Sequence, residues 1–196
     1  MSNSTTVQVS SFDAARIKFL NCYAMLEFQQ AHLFEILLDT SPQKANNVFY
    51  RITNKRSCYS IIDSLLSLHE DDAARKFWSK IEKKMNPIDQ FRNNLVHWVP
   101  IADMGNTSAP QTEPSRRFLQ PGHSICKTDA ASLSTEDILE KKEVVDQLTL
   151  IITIFSKHIK NNVSGDKAES LREIYLQPIT DQTAMALAQC QIPTKP

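Results

Sequence analysis

Up to about residue 161, apolar side chains recur every three or four positions, with polar and charged residues filling the intervals. That spacing stacks the apolar groups on one face of an α-helix, whereas strands would need strict alternation. A first long helix is predicted from 12 to about 38. It carries two apolar rows, Ile17, Leu20, Ala24 and Phe28 in one, and Phe19, Tyr23, Leu26, Leu33 and Leu37 in the other. A helix apolar on more than one stripe is either central or shared with a partner, so the surplus row points to a homodimer. Lys18, Asn21, Glu27, Gln29, Gln30, His32 and Glu35 interrupt it within the ~20 residues a membrane span needs, so no membrane role is expected.

Thr40-Ser41-Pro42 supplies an N-cap and a first-turn proline for a second, modest helix to about residue 52. After a turn at 53–57, Cys58, Ile61, Ile62, Leu65, Leu66 and Leu68 mark a third helix, broken at His69-Glu70-Asp71. Ala74, Phe77, Trp78, Ile81 and Met85 line one face of the next. Asn86-Pro87 reads as a sharp boundary, with Pro87 opening a separate short helix. In it Ile88, Phe91, Leu95 and Trp98 form the buried stripe, and Pro100 ends it. Gly, Pro, Ser and Thr then dominate a long loop at 101–131, where Arg116-Arg117-Phe118-Leu119 and His123-Ser124-Ile125-Cys126 flank Gln120-Pro121-Gly122 as the arms of a small β-hairpin. Ser134 with Asp137 stands in capping-box register and Leu133 with Ile138 in staple register. The long helix they open runs to about residue 161, with Ile138, Val145, Leu148, Ile152, Phe155 and Ile159 inward, and should pack along the first as part of a bundle. The expected architecture is therefore all-α, a bundle of four to five main helices over 11–162. Residues 1–10 are polar and expected to be disordered. A C-terminal extension at 163–196 carries a short helix around Leu171, Ile174, Tyr175 and Leu176, then a tail.

Composition supports this picture. The 196 residues suit one domain with a core of its own, 41% are hydrophobic, and the 3 glycines fall far below the average of roughly 7%. The 22 Lys and Arg balance the 22 Asp and Glu, so attraction for phosphate has to come from local clustering. Cys22, Cys58, Cys126 and Cys190 are scattered, with no C-x-x-C and no zinc-ligand spacing, as expected of reduced structural thiols. The N-terminus has neither the basic start nor the apolar core of a signal peptide, and a cytoplasmic location is expected. There is no Walker loop, no G-x-G-x-x-G, no H-E-x-x-H and no E-x-x-H, and no cofactor is expected.

Of the histidines, His32 and His158 lie on long helices as satisfied or solvent-facing groups, His69 lies near a helix end, and His123 lies in the long loop. His97 has different company. Phe91-Arg92-Asn93-Asn94-Leu95-Val96-His97-Trp98 sets an arginine and a histidine on one helix with four residues between them. Residues five apart on a helix stand about 140° apart around its axis, so His97 points nearly opposite the buried stripe and Arg92 flanks it. Asn93 is one turn from His97 on the same side. A cation able to hold phosphate and an imidazole able to move a proton suit RNA cleavage.

The helix order, with its R-N-x-x-x-H segment from Arg92 to His97, resembles the HEPN superfamily, whose signature is R-x(4–6)-H with a polar residue often following the arginine. The resemblance covers roughly 12 to 161. It implies a metal-independent endoribonuclease of toxin or defence kind, acting on RNA as a homodimer in which two such helices form one cleft. Carried over, Arg92 would hold the scissile phosphate, His97 would act as general base or acid on the ribose 2′-OH or the leaving 5′-oxygen, and Asn93 would orient one of these groups. A protein inhibitor or antitoxin is a further partner to expect. The tyrosine that many nucleotidyltransferase-paired HEPN toxins carry two positions after the histidine is Val99 here, which speaks against modification of such a tyrosine. Plainer roles exist for each residue: a surface ion pair or cap contact for Arg92, with Glu27 as a candidate partner; helix-end stabilisation for His97; solvation for Asn93. Arg116 and Arg117 could guide RNA or simply face solvent. The alternative function is a non-catalytic module of the same fold, for dimerisation or protein interaction.

Overall fold

A computed structural model describes residues 10–68, 72–102, 117–120 and 133–161. Among these residues the fold is helical: α1 Ser11–Leu37, α2 Pro42–Phe49, α3 Lys55–Leu68, α4 Asp72–His97 and α5 Thr135–Asn161, with two short strands, β1 Val99–Ala102 and β2 Arg117–Gln120. No helix among them is long and apolar enough to cross a membrane. Residues 1–9 of the N-terminal stretch expected to be disordered, the His123–Cys126 arm of the expected hairpin and the C-terminal extension lie outside the described residues.

The α1 helix begins at Ser10, whose hydroxyl accepts the backbone N–H of Asp13, and packs most extensively against α5. Of its two apolar rows, Phe19, Tyr23, Leu26, Leu33 and Leu37 are buried, while Ile17 and Phe28 are exposed and Leu20 is partly buried. It ends in a Schellman-type turn, with Asp39 N–H donating to the Ile36 carbonyl and Thr40 N–H to that of Glu35. Asp39, not glycine, takes the left-handed conformation there, at φ 46°. The α5 helix opens with the predicted cap: Asp137 N–H donates to Ser134 Oγ at 3.2 Å, and Ser134 N–H donates back to the Asp137 carboxylate at 2.8 Å.

Asn86-Pro87 does not break the chain into two helices; α4 runs through it for 26 residues. The cause is the phase of the apolar stripe. Ile81, Met85, Ile88, Phe91 and Leu95 are all buried, at intervals of four, three, three and four, so the face that seats the first half also seats the second. Asn86 and Pro87 are exposed, so the Lys83 carbonyl that Pro87 leaves without a donor faces water. Burying those side chains outweighs the ~3 kcal/mol penalty of an interior proline. A single rigid rod thus carries Asp89, Arg92, Asn93 and His97.

Beyond His97 the chain turns at Trp98, whose N–H still donates to the Asn94 carbonyl. Pro100 disfavours helix at Val99, and β1 pairs antiparallel with β2 in the register Val99↔Gln120 to Ala102↔Arg117. The Arg117–Gln120 segment is therefore a strand, and the partner seen for it is the stretch just after α4.

Candidate functional site

A buried acid organises the middle of α4. Asp89 accepts hydrogen bonds from the Tyr23 hydroxyl at 2.8 Å and from the Tyr59 hydroxyl at 2.5 Å, linking α1, α3 and α4. Burial pushes its carboxyl above the ordinary aspartate range, partly offset by the two donors. Burial beside Asp89 likewise pushes both tyrosine hydroxyls far up, keeping them protonated donors. Tyr59 Oη and Tyr23 Oη hold the two carboxylate oxygens separately, which fixes the rotation of α4 against its neighbours. No sequence motif includes Asp89. The available signal was helical phase: it follows Ile88 and stands four residues after Met85, at the margin of the buried face.

Tyr23 passes this order outward. The Arg92 guanidinium sits 5.7 Å from the Tyr23 ring centroid, in cation–π range, and Arg92 Nη1 donates to Asn93 Oδ1 at 3.3 Å. With Oδ1 engaged, the Asn93 amide group keeps its two N–H donors for a ligand. Glu27, weighed as a partner of Arg92, pairs instead with Lys55 at 2.6 Å, and Lys55 Nζ lies 5.5 Å from the Phe49 ring centroid and 5.9 Å from that of Tyr23. Among the described residues Arg92 has no carboxylate partner.

Arg92 and Asn93 line a groove of about 1090 Å³ shared by α1, the α2–α3 turn, α3 and α4, with Tyr23, Glu27, Tyr50, Lys55 and Arg56 among its walls. His97 is exposed at the last position of α4 and is not part of that wall. Ile88, Phe91 and Leu95 are buried and Trp98 is half-buried, so the polar side of the helix end does face away from its own core. Within one chain, then, Arg92 and Asn93 come together, and His97 stands one turn beyond Asn93 on the outer face.

Of the other candidates, His69, His123, Arg116, Cys126 and Cys190 lie outside the described residues, and Arg117 opens β2. His32 Nδ1 lies 3.0 Å from Glu35. Cys22 and Cys58 are free thiols, and burial pushes the Cys58 thiol up to about 11, which leaves it unreactive near neutral pH. No cluster of three His, Cys, Asp or Glu side chains that could hold a metal ion occurs among the described residues.

No protein-family model, curated protein or solved structure matches this chain. The functional reading therefore rests on the residues and their placement.

Proposed function

We propose that this chain is a cytoplasmic, metal-independent endoribonuclease of the HEPN type, with a toxin or defence role, cleaving RNA at a cleft completed by a second copy. The observation that carries the reading is the placement of Arg92. It is an arginine without a carboxylate partner among the described residues, anchored on Tyr23 beside Asn93, on a continuous helix whose outer face also presents His97. In the proposed reaction His97 takes the proton of the ribose 2′-OH. The oxygen attacks phosphorus, the P–O5′ bond breaks as the 5′-oxygen takes a proton from water or a protonated His97, and a 2′,3′-cyclic phosphate and a 5′-hydroxyl end remain. Arg92 stabilises the charge that builds on the non-bridging oxygens, and Asn93 orients the nucleophile or leaving group.

Because His97 lies outside the groove wall, a second copy is needed to enclose it. Ile17, Met25 and Phe28, each about half exposed on one side of α1, form an apolar row that such pairing would cover. The test uses single-stranded RNA in the presence of EDTA, beside the same oligonucleotide carrying 2′-deoxy residues. Cleavage of the first and survival of the second is expected; cleavage of both would reject the 2′-OH mechanism. Phe28→Glu is expected to shift the protein from dimer to monomer in sedimentation and to lose cleavage with it.

The second reading is a non-catalytic dimerisation or protein-interaction module. The exposure of His97 away from the groove favours it. It too predicts a dimer, but no RNA cleavage.

A further inference from the structure

The groove extends beyond Arg92 to side chains that the proposed chemistry does not use. Arg56, on the first turn of α3, is exposed and has no carboxylate partner among the described residues. Of the two carboxylates on the groove wall, Glu27 is offset by Lys55 and Asp89 is buried behind the two tyrosine hydroxyls. The cations on that wall without a carboxylate partner among the described residues are thus the guanidinium groups of Arg56 and Arg92, which suit phosphate oxygens. Tyr50 stands on the same wall, 56% exposed, its ring braced at 5.3 Å against Phe49 in a T-shaped contact. An exposed, braced aromatic beside a cationic groove is the combination that holds single-stranded nucleic acid, stacking a base while the cations track the backbone. Asn54, Asn86 and Gln90 add exposed amides that can meet a base edge. At about 1090 Å³ the groove has room for a nucleotide with its flanking phosphate.

We propose that this groove is a substrate subsite that holds the nucleotide next to the scissile phosphate of single-stranded RNA, its base on Tyr50 and its far phosphate on Arg56. Arg92 is the shared wall between this subsite and the bond to be cut. The inference deepens the reading of the chain as a ribonuclease and rests on RNA being its substrate.

The test is binding of a short fluorescein-labelled single-stranded RNA to the full chain bearing His97→Ala, followed by anisotropy across a salt series. Tyr50→Ala is expected to weaken binding about tenfold with the salt slope unchanged, and Tyr50→Trp to retain it. Arg56→Ala is expected to lower the slope of log Kd against log salt by about 0.7, the contribution of one phosphate contact on a single strand. Both positions are exposed, so the variants should fold. RNA bound equally well by all these variants would overturn the subsite, as would no binding at all, or 5′-AMP bound as tightly as the RNA. If the wild type cleaves RNA while affinity ignores Tyr50 and Arg56, the subsite falls and the ribonuclease stands. If affinity follows Tyr50 and Arg56 while the wild type cleaves nothing, the catalytic reading falls, and with it the groove's role as a substrate subsite; what stands is a single-stranded RNA-binding groove.

Discussion

His97→Ala is expected to slow RNA cleavage by roughly 10²–10⁴-fold, the range spanned by a positioned general acid or base, without lowering the unfolding midpoint. The side chain is exposed and makes no hydrogen bond among the described residues, so its removal costs the fold little. Arg92→Ala should fall by roughly 10²–10³-fold, as for loss of one preorganised donor at developing charge. Arg92→Lys should recover only part of this, because a lysine cannot reproduce a planar guanidinium that both stacks on Tyr23 and forks toward phosphate. Rates are read as initial cleavage of a labelled RNA at matched protein concentration, with thermal melts alongside. A folded His97→Ala that cleaves like the wild type would remove His97 from the mechanism.

Asp89→Ala should lower the free energy of unfolding by about 2–6 kcal/mol, since it strands two buried tyrosine hydroxyls at about 1–3 kcal/mol each. Asp89→Asn keeps one oxygen acceptor and should cost less than half as much. The pH dependence has a definite sign. Burial lifts the Asp89 carboxyl above 3.8, so the folded chain holds a proton that the unfolded chain releases first. Its contribution is fully present below pH 3.8 and is lost as pH rises through the folded value. Most acids held in ion pairs behave in the opposite way. Urea denaturation of wild type and Asp89→Asn across the acid range should show their stability difference narrowing with rising pH. A parallel profile would mean that Asp89 is ionised as readily inside the fold as outside it.

How far the chain could be read before its structure was in hand depended on which physical signal each element carried. Helices α1, α3 and α5 announced themselves through long apolar stripes, and α5 through a cap whose two reciprocal bonds are both present. Asn86-Pro87 predicts a break because proline is a strong local signal, but the stripe from Ile81 to Leu95, unbroken in phase, overrides it. The orientation of Phe91, Asn93, Leu95 and His97 followed from helix geometry alone. The surroundings of Arg92 did not. Tyr23 lies 69 positions earlier than Arg92, and Glu27 chose Lys55 over it. Such long-range pairing depends on how helices cross, which periodicity within each helix leaves open. The groove was missed for the same reason, since Tyr50, Arg56 and Arg92 meet only once α2, α3 and α4 are packed.

A structure of the assembled protein, in solution or crystal, decides whether the outer face of α4 becomes a cleft when two copies pair. A two-fold dimer is expected, in which Arg92 of one copy and His97 of the other converge within about 10 Å, the reach of a long arginine toward a shared phosphate. A monomer, or a dimer that leaves the two His97 side chains on opposite faces in open solvent, would contradict it.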